Sequence, residues 1–382
     1  MHFYNGWKDS RVRSHAVRIG DLVYCSAVRP TERKTGRIIS DRDFSAHVNQ
    51  CLDNLDVVLN EEKLALKNVV KLTIFVRNIR YKKIVDETVS KRFDKSSMPV
   101  ANILEMNRFE DDHDVTIDCV AASNDIEVTY YSDDSYAPFS GAVKYGNYVS
   151  CSTVVPEATS LTYNDELFKE EVKESFNEIN RLLNLAGASL DNLFRTRVYV
   201  RNMLDRVLVN EVTKGILDPY PLRVITEVPR LPNEQRLAIE AEAYIGNSLE
   251  RLKTEKGQLP TGPFVQGIRI DDRYIYCAGV RPIDPVSKRL IDGSIKDRIV
   301  RCMENLQAVL NVGGSSLEHV FESRIYLRNM ADLPLVEEVF KEYFKAERYP
   351  IWTAVEITRL NEDYEKGWDP NHDVEIEVSA YE

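Results

Sequence analysis

Tyr148-Val149-Ser150-Cys151-Ser152-Thr153-Val154-Val155-Pro156 has the pattern of a β-strand running into a turn, and the chain contains it three times. The other copies are Leu22-Val23-Tyr24-Cys25-Ser26-Ala27-Val28-Arg29-Pro30 and Tyr274-Ile275-Tyr276-Cys277-Ala278-Gly279-Val280-Arg281-Pro282, and the cysteines are spaced by 126 residues both times. A repeat must be recognised before single elements are assigned, because it defines the unit that folds. Two further landmarks follow each copy in the same order. An apolar strand ends in Arg-Asn at Arg77-Asn78, Arg201-Asn202 and Arg328-Asn329. A Pro is then followed six residues on by Glu and nine on by Arg, at Pro99/Glu105/Arg108, Pro221/Glu227/Arg230 and Pro350/Glu356/Arg359. The chain therefore reads as three tandem units, at 1–128, 133–246 and 259–382, joined by polar stretches near Ser132–Tyr136 and Gly246–Gly262.

Within each unit two alternating strands precede an amphipathic helix. In Leu167–Leu185 the residues Phe168, Val172, Phe176, Ile179 and Leu183 recur at three- and four-residue steps, the helical period. A strand, a second helix and two more strands complete the unit. In the last strand of the middle unit Ile239, Ala241 and Ala243 point one way and Ala238, Glu240 and Glu242 the other. The expected fold is α+β, a ββαβαββ plan with helices on one face of a mixed sheet.

Composition excludes several classes of function. The chain has 382 residues, 61 acidic against 50 basic, and a net charge of −11, a balance that opposes sequence-independent binding to nucleic acid or anionic lipid. No run of 18 apolar residues is present and the N-terminus lacks a secretory layout, so a cytoplasmic protein without membrane association is expected. The six cysteines form no CxxC and sit in apolar segments, where buried thiols are the ordinary reading. His2, His15, His47 and His372 show no ligand spacing, and no His lies between His113 and His319, so neither a metal site nor Ser-His-Asp chemistry is expected. Gly313-Gly314 reads as a helix cap, not as a phosphate loop.

The landmarks resemble the RidA/YjgF family, also called L-PSP endoribonuclease-like proteins. Pro138-Phe139-Ser140-Gly141-Ala142-Val143 is similar to the family's opening motif, as is Pro263-Phe264-Val265-Gln266-Gly267. Pro221-Leu222-Arg223-Val224-Ile225-Thr226-Glu227-Val228-Pro229-Arg230-Leu231-Pro232 is similar to its Pro-x-Arg-x-x-x-Glu-Val-x-Arg-Leu-Pro segment. The resemblance implies a chorismate-mutase-like fold and a homotrimer with central sheets, outer helices and a site in each inter-subunit cleft. A chain with three copies would then be a single-chain pseudo-trimer, with further self-association left open.

Active members of the family are imine/enamine deaminases that use no cofactor. An Arg grips the substrate carboxylate and a Glu places the attacking water. The chemistry is sound on its own terms: a guanidinium holds a carboxylate through two charge-assisted hydrogen bonds, and positioning makes hydrolysis of an electrophilic carbon effectively unimolecular. The resemblance maps the Arg to Ala101, Arg223 and Trp352, the Glu to Asp118, Glu240 and Glu377, a helix Asn to Asp86, Asn210 and Glu337, and a Ser to Ser26, Ser152 and Ala278. Only the middle unit keeps a full set. Arg223 and Glu240 are expected to act on substrate, with Ser152, Asn210 and Phe139 contributing to binding. Because family clefts lie between units, Phe139, Phe264 or Arg13 would complete the wall according to the order of units around the ring.

Each residue also has an ordinary structural reading. Glu240 fits a strand face shared with Glu242, and Arg108, Arg230 and Arg359 recur in every unit and read as structural pairs. Arg29 lies three residues after Ser26, so a regular strand turns them to opposite faces, and neither Arg29 nor Arg281 is expected to replace the missing Arg. Two functions remain: deamination of a small imino or enamino acid at one surviving cleft, or a non-catalytic protein binding a carboxylate-bearing metabolite or acting as a scaffold. A ribonuclease has no basic-aromatic cluster to support it. The insertion 361–372 in the third unit, with Trp368, is read as a lid, a partner contact or a plug.

Overall fold

A computed structural model describes residues 2–4, 11–157, 164–360 and 373–382. The insertion 361–372 lies outside the described residues. The first unit comprises β1 (His2–Tyr4), β2 (Ala16–Ile19), β3 (Leu22–Val28), α1 (Phe44–Glu61), β4 (Val69–Val76), α2 (Lys82–Ser90), β5 (Val100–Glu105) and β6 (Val115–Ala122). The second comprises β7 (Val128–Ser132), β8 (Ser140–Tyr145), β9 (Tyr148–Cys151), α3 (Asp165–Leu185), β10 (Leu193–Val200), α4 (Arg206–Ile216), β11 (Leu222–Glu227) and β12 (Leu237–Tyr244). The third comprises β13 (Leu249–Leu252), β14 (Gly267–Ile270), β15 (Tyr274–Cys277), α5 (Ile295–Val312), β16 (Val320–Leu327), α6 (Leu333–Tyr343), β17 (Ile351–Glu356) and β18 (Val374–Tyr381).

Each unit forms one six-stranded sheet of the same order, β1-β2-β3-β6-β4-β5 in the first. Pairing is antiparallel except for β4/β5, β10/β11 and β16/β17, the parallel pairs that α2, α4 and α6 cross between. The α+β class and the three tandem units are as expected, but each sheet has one strand more than the ββαβαββ plan. β7 and β13 pair with β8 and β14, so the second sheet starts at Val128 rather than 133 and the third at Leu249 rather than 259. β13 lies in a stretch read as a polar join and β7 just before the other, and in both strands most residues are only partly buried, which weakens the alternation signal.

α3 shows why the helices form where they do. Asn164 caps it by accepting from the amides of Glu166 and Leu167, and Asp165 and Glu166 place negative charge at the positive end of the dipole. Its apolar stripe packs on the outward residues of β12, Ile239, Ala241 and Ala243, in one core cluster.

The other face of each sheet turns inward, towards the other two units. Phe75, Tyr199 and Tyr326, one from each unit, share a single apolar cluster with Leu104, Val224 and Val355. Beside it the inward positions are charged: Arg197 Nε donates to Glu377 Oε1 (2.6 Å), Tyr199 Oη to Glu240 Oε1 (2.8 Å) and Arg324 Nη2 to Asp118 Oδ2 (2.9 Å), while Lys71 Nζ lies 3.2 Å from Glu242.

The ring closes through three equivalent seams. The amides of Ser140, Val265 and Ser14 donate to the carbonyls of Pro99, Pro221 and Pro350, so the units follow one another in the order first, second, third and back to first. At two seams a hydroxyl adds a bond: the amide of Ala101 donates to Ser152 Oγ and that of Trp352 to Ser26 Oγ, both at 3.0 Å.

Candidate functional site

The seam order decides which residues meet. Arg223, the second residue of β11, faces the third unit. Its Nη2 donates to Asn210 Oδ1 of α4 at 2.6 Å, which brings together two of the residues expected to share a site. The third unit covers the pair: the Phe264 ring lies 5.4 Å from the guanidinium carbon, and a Cβ on Gly262 would fall 2.6 Å from Nη2, so a side chain there would displace the guanidinium. Arg223 is 5% exposed, and its Nη1 is buried with no hydrogen-bond partner among the described residues. Burial, and then the Arg206 cation, push its pKa down to about 9, which leaves it charged at neutral pH.

The carboxylate at this seam is Glu375 of β18. Burial raises its pKa to about 7, against the opposing pull of Arg281 and Arg223. Gly279 makes room for it, since a Cβ there would fall 2.1 Å from Glu375 Oε1. Arg281 is also at this seam: its Nη2 donates to Thr261 Oγ1 (3.0 Å), its amide donates to Gln258 Oε1 (2.6 Å), and its carbonyl accepts from Asn305.

Three of the residues expected to share this site lie elsewhere. Glu240 is 2% exposed and lies on the central axis, bonded to Tyr199 and Arg197, with burial outweighed by Lys71, Arg197 and Arg324 so that its pKa falls. Ser152 serves the previous seam, where it accepts from Ala101, and Phe139 packs into the core of the first unit. The complete set is therefore not built within one unit, because each cleft takes its Arg position from one unit and its Ser and aromatic positions from the next. At the Arg223 seam those two positions are Ala278 and Phe264. Arg281, which strand alternation was expected to turn away, reaches the site because the backbone leaves regular strand geometry after Cys277. Glu375 had one signal in the sequence: β18 carries glutamate at 375 as well as 377, whereas β12 has Ala238 and β6 has Thr116 at the matching register.

The other seams differ. Between the third and first units Trp352 fills the place of Arg223; it is 2% exposed, donates Nε1 to the carbonyl of Val12 (2.8 Å) and lies under Arg13, whose guanidinium carbon is 4.6 Å from the ring. Arg13 is held by Glu110 at 2.9 Å. Between the first and second units Ala101 leaves a cavity of about 880 Å³. Among the described residues no group of three or more His, Cys, Asp or Glu is placed to hold a metal, and no helix is long and apolar enough to cross a membrane.

The profile of the family described as Endoribonuclease L-PSP matches residues 12–123, 132–245 and 255–382, nearly the whole chain in three copies. The chain belongs to the Endoribonuclease L-PSP family. Among its relatives in the family are a RutC family protein of Pyrococcus abyssi, 39% identical over 30% of this chain and 88% of the relative. Another is the human 2-iminobutanoate/2-iminopropanoate deaminase, 28% identical over 28% of this chain and 78% of the relative. A chorismatase crystal structure aligns with 82% of this chain and 93% of its own at a TM-score of 0.54 and 15% identity, a likeness of fold alone.

Proposed function

We propose that the seam between the second and third units hydrolyses a small carboxylate-bearing imine or enamine to a keto acid and ammonia. The observation that carries this reading is a charged Arg223 whose buried Nη1 has no hydrogen-bond partner among the described residues, set beside a Glu375 whose pKa is about 7. The family's imine deaminases support it. Arg223 would hold the substrate carboxylate, with Asn210 fixing the guanidinium. Glu375 as carboxylate would take a proton from water as its oxygen bonds to the imine carbon. The protonated Glu375 would return that proton to the imine nitrogen, giving a carbinolamine, and would then carry the carbinolamine hydroxyl proton to the same nitrogen, so that the C–N bond breaks and ammonia leaves as the carbonyl forms. A group titrating near neutrality suits both transfers. Phe264 and Gly262 must move aside for substrate to reach Nη1.

The test supplies 2-aminoacrylate from serine and a dehydratase and follows pyruvate release. Wild type should accelerate release, Arg223→Ala and Glu375→Gln should each lose about a hundredfold or more, and Ser152→Ala should match wild type. No acceleration by wild type rejects the reading. The packing of Phe264 and Gly262 over Arg223 favours a second reading, a carboxylate-binding protein without turnover. Under that reading a keto acid raises the melting temperature of wild type but not of Arg223→Ala.

A further inference from the structure

The seam between the first and second units lacks two of the cations found at the Arg223 seam, Arg223 and Arg281. Ala101 stands where Arg223 stands, and Val155 where Arg281 does, and with Ile103, Phe139, Val154 and Pro156 they give the cavity of about 880 Å³ an apolar patch beside the hydroxyls of Ser152, Thr153 and Ser175. Its rim carries Asp133, Glu157, Glu174 and Glu178 against Lys82 and Arg181. Both cations are already engaged: Lys82 binds Asp86 at 2.7 Å, and Arg181 binds Asp133 at 2.6 Å and Glu178 at 2.7 Å. Glu157 and Glu174 have no ion pair among the described residues, so the rim is net negative.

One side-chain difference accompanies the cavity. Asn54 and Asn305 occupy equivalent helix positions and tie the following chain against their own units: Asn54 Nδ2 donates to the carbonyls of Arg29 and Thr31, and Asn305 Nδ2 to those of Arg281 and Ile283. Two residues further on, Asp56, Asn180 and Gln307 make one conserved contact, accepting from the amides of Leu66, Leu190 and Leu317, which fixes Glu178 as the counterpart of the two asparagines. A carboxylate cannot donate those bonds; Glu178 instead accepts from Tyr136 Oη at 3.0 Å.

We propose that this cavity binds a small molecule with an apolar body and one ammonium group, a ligand class opposite in charge to that of the Arg223 seam. The volume lies in the range of small-molecule sites, and the apolar patch beside polar and acidic groups suits a ligand with an apolar body and a polar, cationic end. A carboxylate entering here would leave water without meeting an unengaged cation, whereas an ammonium group gains the field of Glu157 and Glu174. The proposal does not depend on turnover at Arg223.

The experiment is calorimetric titration of the full chain with 2-phenylethylamine and with 3-phenylpropionate, which share a ring and a two-carbon spacer but carry opposite charge. One equivalent of the amine should bind, at least tenfold more tightly than the acid. Ala101→Trp, copying the residue that fills the third seam, should abolish amine binding. Glu174→Gln, a change on a solvent-facing helix position that leaves the fold intact, should weaken it severalfold and reduce its salt dependence, and Arg223→Ala should leave it unchanged. Absence of amine binding, equal binding of the acid, full affinity in Glu174→Gln, or loss of amine binding in Arg223→Ala would each overturn the proposal.

Discussion

Arg223 and Glu375 are both buried and the surroundings oppose the charge of both, but only Glu375 is brought to titrate near neutral pH. Glu375 titrates near 7 because burial outweighs the pull of Arg281 and Arg223, so its folded-state pKa lies above that of an unfolded glutamate. Stability from the protonated form is thus complete below about pH 4.5 and is lost as pH rises through 7; a difference of that size amounts to about 3 kcal/mol. Glu375→Gln, neutral at every pH, should therefore match wild type near pH 4.5 and exceed it by up to that amount at pH 8.5, measured by urea unfolding. A gap that does not widen with pH would contradict the assignment. The sequence pointed to Arg223 and Asn210, which the fold brings together, because their motif and helix spacing are local. It also pointed to Glu240, which the fold places on the axis: alternation puts Ala238, Glu240 and Glu242 on one face, but it says nothing about which position along that face meets the next unit.

At the scale of elements, the turn that carries Arg281 into the Arg223 seam is held by one side chain of α5. Asn305 is 1% exposed and its Nδ2 bridges the carbonyls of Arg281 (3.1 Å) and Ile283 (2.9 Å). Removing it leaves two carbonyls short of a donor, a loss of about 2 kcal/mol. Asn305→Ala should show this in urea unfolding, and Asn54→Ala should show a comparable loss from the equivalent turn of the first unit. If Asn54→Ala costs as much and Asn305→Ala nothing, α5 does not hold the turn. Helices and central strands could be read from their periods, as α3 illustrates. The edge strands β7 and β13 could not, since half-buried residues in short segments carry little periodicity, and the exchange of site residues between units depends on ring order, which no local pattern encodes.

For the whole molecule, the axis couples the three units through charge as well as through apolar contact. Burial disfavours ionised Glu240, Glu242 and Glu377, but in each case the surrounding cations win: Lys71, Arg197 and Arg324 for Glu240, Arg195, Lys71 and Arg197 for Glu242, and Arg197 and Arg195 for Glu377. All three pKa values fall below that of an unfolded glutamate, so their contribution is present above about pH 4.5 and lost as pH drops through the folded values. Because the partners come from different units, with Arg197 of the second bonded to Glu377 of the third, acid should unfold the chain in one calorimetric transition rather than three. Glu240→Gln should lower stability at pH 7 by about 3–5 kcal/mol, the cost of stranding a buried cation. Separate transitions for the three units would show that the axis is not shared.

Trp352 shows what it means for the ring to be written as a single gene. In an assembly of identical subunits, a tryptophan at that position would be inherited by every interface at once and would close them all; here it is spelled once and closes one. The same holds for Ala101 and for Arg223. No mixed assembly of old and new subunits can form, and the proportions of closed, apolar and arginine-bearing interfaces are set by covalent linkage and not by the concentrations of separate polypeptides.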